Sequence, residues 1–460
     1  MIALLAEDAL VELARRLLFT WPGLVIVLAA TSWAIYAVAR RGRNAKTFKK
    51  ALAPAAFGFL IALGGSAALL LLGRHEGGPP LPTRLEILGA PAIVGAEDLA
   101  IIPGRSPRLL VAAADRRKAG LEKDGALFLV DPARRYAPLE PLEFEGRDGC
   151  SFRPHGIDVF QSGTEIRIFV INHHLARDTD PERGCQPALH APSKPMESIE
   201  IFVYQGPDRP LHFVERLQDP LLGHPNDLAA AGPDHLFATV PNTGLVELWN
   251  KLWGRCTGRI VEWNHREWSE RADDLCFPNG IAVRKGTPVS APRQAEEGGP
   301  RLLPPPGSDQ TVWVVTSMDG GLYRLSDRTS LPGVFGSGAP DNLSWEGDDL
   351  LVAIHASGMR FFAAGFSAEI DGPPIASPGC VVRLRAPDFR QPTGGALACP
   401  AENEASSNPD VLFHGDGERM SAISAAVCLG GDLYLGQVIE RGIGRVEGVC
   451  PSPPGVATWP

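Results

Sequence analysis

From Ile87 onward the chain sustains no long apolar run at helical spacing. Short apolar segments recur instead, at 108–113, 126–130, 166–171, 198–204, 236–240, 310–315, 321–325, 349–354 and 432–436, each bounded by glycine, proline, aspartate or asparagine. Runs of this length between turn formers read as strands. Some 380 residues of the pattern exceed a simple sandwich, and radial repetition of small sheets removes the exposed edges such a chain would carry. The expected fold is all-β, a β-propeller over residues 79–460, with a blade count that weak internal similarity does not reveal. The 50 glycines and 42 prolines supply turns without a Gly-X-Y period, which excludes collagen, and 44% apolar residues exclude a disordered chain. Two stretches rich in proline, glycine and charge, 285–310 and 388–410, read as surface insertions.

Residues 1–78 are of another kind. The runs 17–38 and 51–73 contain no charge, and each is long enough to cross a hydrocarbon core of about 30 Å. Between them, 40–50 holds six lysines and arginines, which the positive-inside rule places in the cytoplasm. The expectation is a two-helix hairpin anchor with residues 79–460 on the non-cytoplasmic side, in a periplasm, outside the cell or in a secretory lumen. A signal peptide fits less well, because two runs and an internal basic loop depart from its layout. A single span over 51–73 leaves the address of the large domain unchanged. Residues 1–78 carry nine basic and four acidic side chains, and residues 79–460 carry 35 and 49. An acidic main domain argues against a nucleic-acid partner and suits hard cations.

All eight cysteines (150, 185, 256, 276, 380, 399, 428 and 450) follow the apolar segment. An exported domain permits disulfides, and with no CxxC pair a zinc site is not suggested. Cys150–Cys185 and Cys380–Cys399 are the pairings expected, with free buried thiols as the alternative for the rest.

Several polar motifs at strand starts are not explained by strand patterning: Glu97-Asp98, His155-Gly156, Asn172-His173-His174, Asn226-Asp227, Asn279-Gly280, Asp341-Asn342 and His355. Singly they are turn formers or core histidines. Together they are an oxygen-rich set of the kind calcium takes, six to eight oxygens per ion. Successive strand residues face opposite ways, so Glu97/Asp98 and Asn226/Asp227 suit two ions stacked along an axis.

The order of these motifs resembles the serum paraoxonase/arylesterase family of calcium-dependent lactonases. Nine segments match from about Leu85 to Cys450: Gly95-Ala-Glu-Asp-Leu, Pro154-His-Gly-Ile, Val170-Ile-Asn-His, Ser198-Ile-Glu-Ile-Phe, Pro225-Asn-Asp-Leu, Gly232-Pro-Asp-His-Leu-Phe, Phe277-Pro-Asn-Gly-Ile, Asp341-Asn-Leu-Ser and His355-Ala-Ser-Gly-Met. The resemblance implies a six-bladed propeller with two calcium ions in its tunnel. Glu97, Asn226, Asn279, Asp341 and Asn342 would hold the catalytic ion, and Asp98, Asp227 and the Ile157 carbonyl the structural one. Alternation agrees with this split except at Asp341/Asn342, where a turn in place of a regular strand would account for the exception.

The implied activity is hydrolysis of lactones and aryl esters, with a metal-polarised carbonyl and water activated by His155. His173 would stand behind His155, and His355, Phe277 and Phe362 would line the substrate pocket. Asp341 is a competing nucleophile or base. A non-catalytic calcium-stabilised propeller and a sugar-lactonase-type propeller are the alternative readings. Three departures from the family pattern stand out: no cysteine precedes residue 150 to staple the N-terminal strand, Ile354 replaces a free cysteine, and Thr243 replaces a histidine.

Overall fold

In the computed structural model the described residues run from 84 to 451, except 118–122, 135–138, 180–184, 186–188, 192–193, 242–255, 286–300, 303–309, 337, 359, 362–363, 366–374, 386–398 and 400–409. The chain divides into two compact units, Met1–Glu76 and Gly77–Pro460. The first, with the apolar runs 17–38 and 51–73, lies outside the described residues, as do Phe362, Thr243 and most of both insertions. Among the described residues no helix is long and apolar enough to cross a membrane.

The nine expected strand segments are all strands, and the described part of the second unit is all-β and propeller-like. Its sheets are antiparallel meanders. One runs Pro154–Ser162, Glu165–Asn172, Ser198–Tyr204, Leu211–Leu217, with Phe144–Glu145 added in parallel at the outer edge. The next runs Leu228–Gly232, His235–Val240, Gly258–Asn264, Glu267–Leu275, and Arg301–Leu302 from the first insertion adds to its edge. Then come Pro278–Lys285, Gln310–Thr316, Gly321–Arg324, Thr329–Leu331, and after them Ala339–Glu346, Asp349–His355, Gly379–Leu384, Val411–Gly415. A seven-stranded sheet joins the two ends of the unit. In it Val94–Ile102, Arg108–Ala113 and Ala126–Val130 meet Ile423–Leu429, Asp432–Arg441, Ile443–Val446 and Leu85–Leu88. The join is short, Val94 opposite Arg441 and Ala96 opposite Gln437.

The first strands of these meanders pack in a closed circuit. Val94–Ile102 touches Pro154–Ser162, which touches Leu228–Gly232, then Pro278–Lys285, Ala339–Glu346 and Ile423–Leu429, which returns to Val94–Ile102. Apolar clusters fill the space between neighbouring sheets, so the strands are buried on both faces. Phe169 and Ile201 pack with Leu236 and Val261, Ile260 with Val312, Trp313 with Val352, and Leu351 with Ile423. Burial on both faces is why these strands read as continuous apolar runs and not as strict alternation.

The strand Leu85–Leu88 is held by pairing and ion pairs, not by a disulfide. Leu85–Leu88 pairs antiparallel with Ile443–Val446, and Arg445 bridges Glu86 at 3.0 Å and Asp432. Cys428–Cys450 ties the last meander to the segment that follows it. Cys150–Cys185 and Cys380–Cys399 pair as expected, Cys256–Cys276 completes the set, and no cysteine is free. A loop of the Cys428–Cys450 length is worth about 3 kcal/mol of unfolded-state entropy. Each fully buried leucine between sheets contributes a comparable amount, about 1.5–3 kcal/mol, so the clusters outweigh the staple. Replacing both Cys428 and Cys450 by alanine is therefore expected to cost about 3 kcal/mol in urea unfolding while the cooperative transition survives. Loss of the folded state altogether would show that the staple, and not strand pairing, closes the unit.

Candidate functional site

The unusual polar residues lie where the inner strands are irregular. Pairing skips between Ala96 and Asp98, Pro154 and Ile157, Pro278 and Ile281, Pro340 and Leu343, and Ile423 and Ala426. Glu97, His155, Asn279, Asp341 and Asn342 all fall in these skips, where a bulge re-aims side chains that regular pairing would point between sheets. The skip at Asp341-Asn342 removes the exception to alternation. It also corrects the alternation argument itself, because Glu97 sits in a bulge and not in a regular strand. Glycines let the strands approach: a Cβ on Gly156 would meet Asp227 Cα at 2.7 Å, and one on Gly280 would meet the Asp341 carbonyl oxygen at 2.2 Å.

Buried carboxylates stitch neighbouring inner strands. Asp98 accepts from Ile157 N at 2.7 Å, Asp158 from Ala230 N at 2.7 Å, and Asp227 from Ile281 N at 2.9 Å. Asn342 Nδ2 donates to the Glu97 carbonyl at 3.3 Å and Ser424 to the same oxygen at 2.6 Å. Burial pushes the Asp98 carboxyl up to about 7; its two backbone donors oppose this, and Asp158 and Asp341 add to it. Asp227 is raised well above the usual carboxylate range by burial and by Asp98. Asp158, which the sequence reading passed over, rises to about 6 by burial.

On the side of this cluster, Arg116 reaches in from the loop after Arg108–Ala113. Its guanidinium contacts Glu97 Oε2 and donates to His155 Nδ1 at 2.9 Å. His155 Nε2 lies 2.9 Å from Glu97 Oε1. Arginine only donates, so the His155 Nδ1 lone pair is engaged and the ring proton is on Nε2. His173 stands beside His155, the two rings edge to face with centroids 4.8 Å apart, and His173 Nδ1 faces Glu197 Oε2 at 3.1 Å. Burial, then Arg116, hold His155 well below the ordinary histidine value, and burial lowers His173 to about 4. Burial likewise brings Arg116 down to about 9.

His355 ends a strand with Nε2 2.8 Å from Asp341 Oδ2, its ring stacked on Phe361 at 3.9 Å. Phe361 was not anticipated; it neighbours the expected Phe362. Phe277 takes a left-handed φ of 60° at the turn into Pro278–Lys285 and is half-buried. Asn279 Nδ2 donates to Ser317 Oγ at 2.9 Å, and Ser317 passes its own proton to the Pro340 carbonyl. The other amide atom, Asn279 Oδ1, is buried with no hydrogen-bond partner. Asn226 is placed by its backbone, whose N–H donates to Thr239 O at 3.0 Å, and of Ile157 the N–H is engaged by Asp98. An orphaned buried amide oxygen, and buried aspartates that raise one another, are each features a hard cation would satisfy, and every donor in the expected set is oxygen.

No family model matches the chain. The chain is similar to curated serum paraoxonases. It is 26% identical over 200 residues to serum paraoxonase/arylesterase 1 of Mus musculus, covering 41% of this chain and 50% of that one. Against serum paraoxonase/lactonase 3 of Homo sapiens it is 24% identical over 199 residues, with the same shares. The chain thus spans about half the length of these relatives, whereas the match to serum paraoxonase/arylesterase 2 of Gallus gallus, at 23% identity, covers 76% of this chain and 85% of that one. Among solved structures, regucalcin from Agrobacterium tumefaciens is similar at a TM-score of 0.39 and 12% identity, covering 77% and 90%. Virginiamycin B lyase from Staphylococcus aureus gives 0.38 and 10%, covering 79% and 99%. Likenesses this weak bear on neither mechanism nor ligand.

The carboxylate cluster sets a pH dependence. Without a dication, folded Asp98 and Asp227 keep protons that the unfolded chain has released, so stability falls as pH rises through their raised values. His155 and His173 act oppositely, but only below their ordinary 6.5, above which both are neutral in either state. Between about pH 6.5 and 8 the carboxylates set the slope. The thermal midpoint in chelator is expected to fall across that window and to flatten when Ca²⁺ is added. A midpoint that climbs in chelator would contradict the arrangement.

Proposed function

We propose that residues 79–460 form a calcium-dependent hydrolase of lactones and aryl esters, built as a six-bladed propeller and tethered by a 17–38/51–73 membrane hairpin. The six-blade reading is supported by the closed circuit of six inner strands, with the seven-stranded sheet taken as two blades whose strands Val94–Ile102 and Asp432–Arg441 touch. Four disulfides fit an oxidising, non-cytoplasmic compartment, the side the basic loop assigns to this domain.

The observation that carries the reading is Asn279 Oδ1, buried without a hydrogen-bond partner in a unit whose inner strands also hold Asp98 and Asp227, two carboxyls that burial and neighbouring acids push up. Glu97, Asn226, Asn279, Asp341 and Asn342 would hold a catalytic calcium, and Asp98, Asp227 and Ile157 a structural one. Calcium bound there supplies Lewis acidity for a substrate carbonyl. Water adds to the carbonyl carbon, its proton passes to His155, the ring or ester C–O bond breaks, and the leaving oxygen takes the proton back. His155 has the lone pair for this once Arg116 withdraws from Nδ1. The Asp341–His355 pair is the competing base, already joined at 2.8 Å and packed under Phe361. Phe277 would line the substrate site, as the paraoxonase resemblance implies, and the same expectation for Phe362 lies outside the described residues.

A second reading, a non-catalytic calcium-stabilised propeller, draws on the same Arg116, which occupies both His155 and Glu97. Hydrolysis of a panel of lactones and aryl esters with and without Ca²⁺ separates the two. Asn279→Ala and Asp341→Ala are each expected to lower hydrolysis about 10²–10³-fold, because each takes an oxygen ligand from the calcium that would stabilise the oxyanion. His155→Gln should lower it with the thermal midpoint nearly unchanged. Turnover that persists in excess chelator would eliminate the calcium mechanism.

A further inference from the structure

A second cluster beside this site is not used by the hydrolysis just described. Asn172 pairs directly with Ser198, so the residues beyond them, His173 and Glu197, face each other across the same pair of strands. His224 arrives from the segment after the short helix Pro220–Leu222, and its ring lies 4.5 Å from that of His173. Glu197 divides its carboxylate between the two imidazoles: Oε2 is 3.1 Å from His173 Nδ1 and Oε1 is 3.1 Å from His224 Nδ1. All three ligand atoms fall within 4.8 Å of one another.

Three features set this group apart from an ordinary hydrogen-bonded triad. The Glu197 side chain is only 5% exposed, yet among the described residues no lysine or arginine pairs with it. His173 Nδ1 is buried and makes no directed hydrogen bond in spite of its 3.1 Å separation from Glu197. Ligand atoms about 2.1 Å from a tetrahedral zinc-type ion themselves lie about 3.4 Å apart, close to the 3.1 Å separations on both sides of Glu197. Finally, Glu197 Oε2 accepts the His174 backbone N–H at 3.1 Å, the outer hydrogen bond that orients a ligating carboxylate, and the His224 side chain, 43% exposed, gives access from solvent.

We propose that His173, Glu197 and His224 bind a first-row transition dication of the zinc type. Two imidazoles and one carboxylate suit borderline metals, whereas calcium prefers an all-oxygen set, so the two kinds of ion sort to different places. Binding itself does not depend on the hydrolase reading. Its consequence does: a metal on His173 Nδ1 fixes the ring that stands edge-on to His155, so the site is inhibitory to hydrolysis.

The test titrates Zn²⁺ into full-length protein saturated with Ca²⁺ at pH 7.5, by calorimetry, with the visible spectrum of added Co²⁺ as a second readout. One site per chain and a cobalt spectrum showing imidazole ligation are expected. His224→Ala and Glu197→Gln should each weaken binding at least tenfold. His224→Ala should leave calcium-supported hydrolysis unchanged and insensitive to Zn²⁺. Binding retained in both variants would mean adventitious surface histidines and overturn the proposal. So would a His224→Ala protein that binds no zinc but loses turnover in its absence, since His224 would then belong to a proton path and not to a metal site. If the protein hydrolyses nothing but binds zinc as stated, the function reading fails and this one stands.

Discussion

A buried aspartate on one inner strand accepts the backbone N–H of the next, and this contact recurs from Asp98 to Ile157, from Asp158 to Ala230 and from Asp227 to Ile281. It solves a geometric problem. Inner strands that converge on an axis cannot pair with one another as a continuous sheet, so their inward backbone donors need other acceptors. Carboxylates supply them, because each has two oxygens and room for several bonds. Crowding negative groups into a small buried volume is the cost, and the raised Asp98 and Asp227 values measure it. In the proposed function a stack of hard cations would remove that cost and make the same residues a Lewis-acid site. Stability and chemistry therefore draw on one set of side chains.

The strands were legible because their environment is uniform. Segments such as Gln310–Thr316 and Ile423–Leu429 are buried along their whole length, so apolar runs between turn residues mark them directly. Cys150–Cys185 and Cys380–Cys399 could be proposed from the sequence, whereas Cys256–Cys276 and Cys428–Cys450 could not, since spacing alone does not select among connectivities. The inner-strand motifs were visible as polar residues in apolar surroundings. Their aim was not, because it is set by bulges, and a one-residue skip leaves no mark in composition.

The residues missed share a property: each takes its meaning from a distant partner. Asp158 in Pro154–Ser162 reads as an ordinary strand acid until Ala230 N is seen above it. Glu197 reads as a solvated residue before a strand until His173 and His224 close on it. Arg116 sits in a charged loop, Asp115-Arg116-Arg117, where a solvated face is the natural expectation. Arg117 does pair locally with Asp115 at 2.8 Å, while Arg116 turns inward.

That inward turn bears on what kind of site this is. Arg116 holds Glu97, the carboxylate that the proposed catalytic calcium would also need, and like charges do not share it at close range without strong repulsion. The arginine also holds the His155 lone pair, so one side chain opposes both the metal and the base. Removing Arg116 from Glu97 frees two functions at once, which couples metal occupancy to the availability of His155. The energetic balance is not lopsided: Arg116 is itself desolvated, with its own value lowered to about 9, so part of what it gains from Glu97 it has already lost to burial. A dication brings twice the charge to the same carboxylate and can accept the orphaned Asn279 Oδ1, which the guanidinium cannot satisfy with a single contact at Glu97. Under the proposed function, calcium binding at Glu97 would therefore exchange a singly charged internal cation for a doubly charged external one.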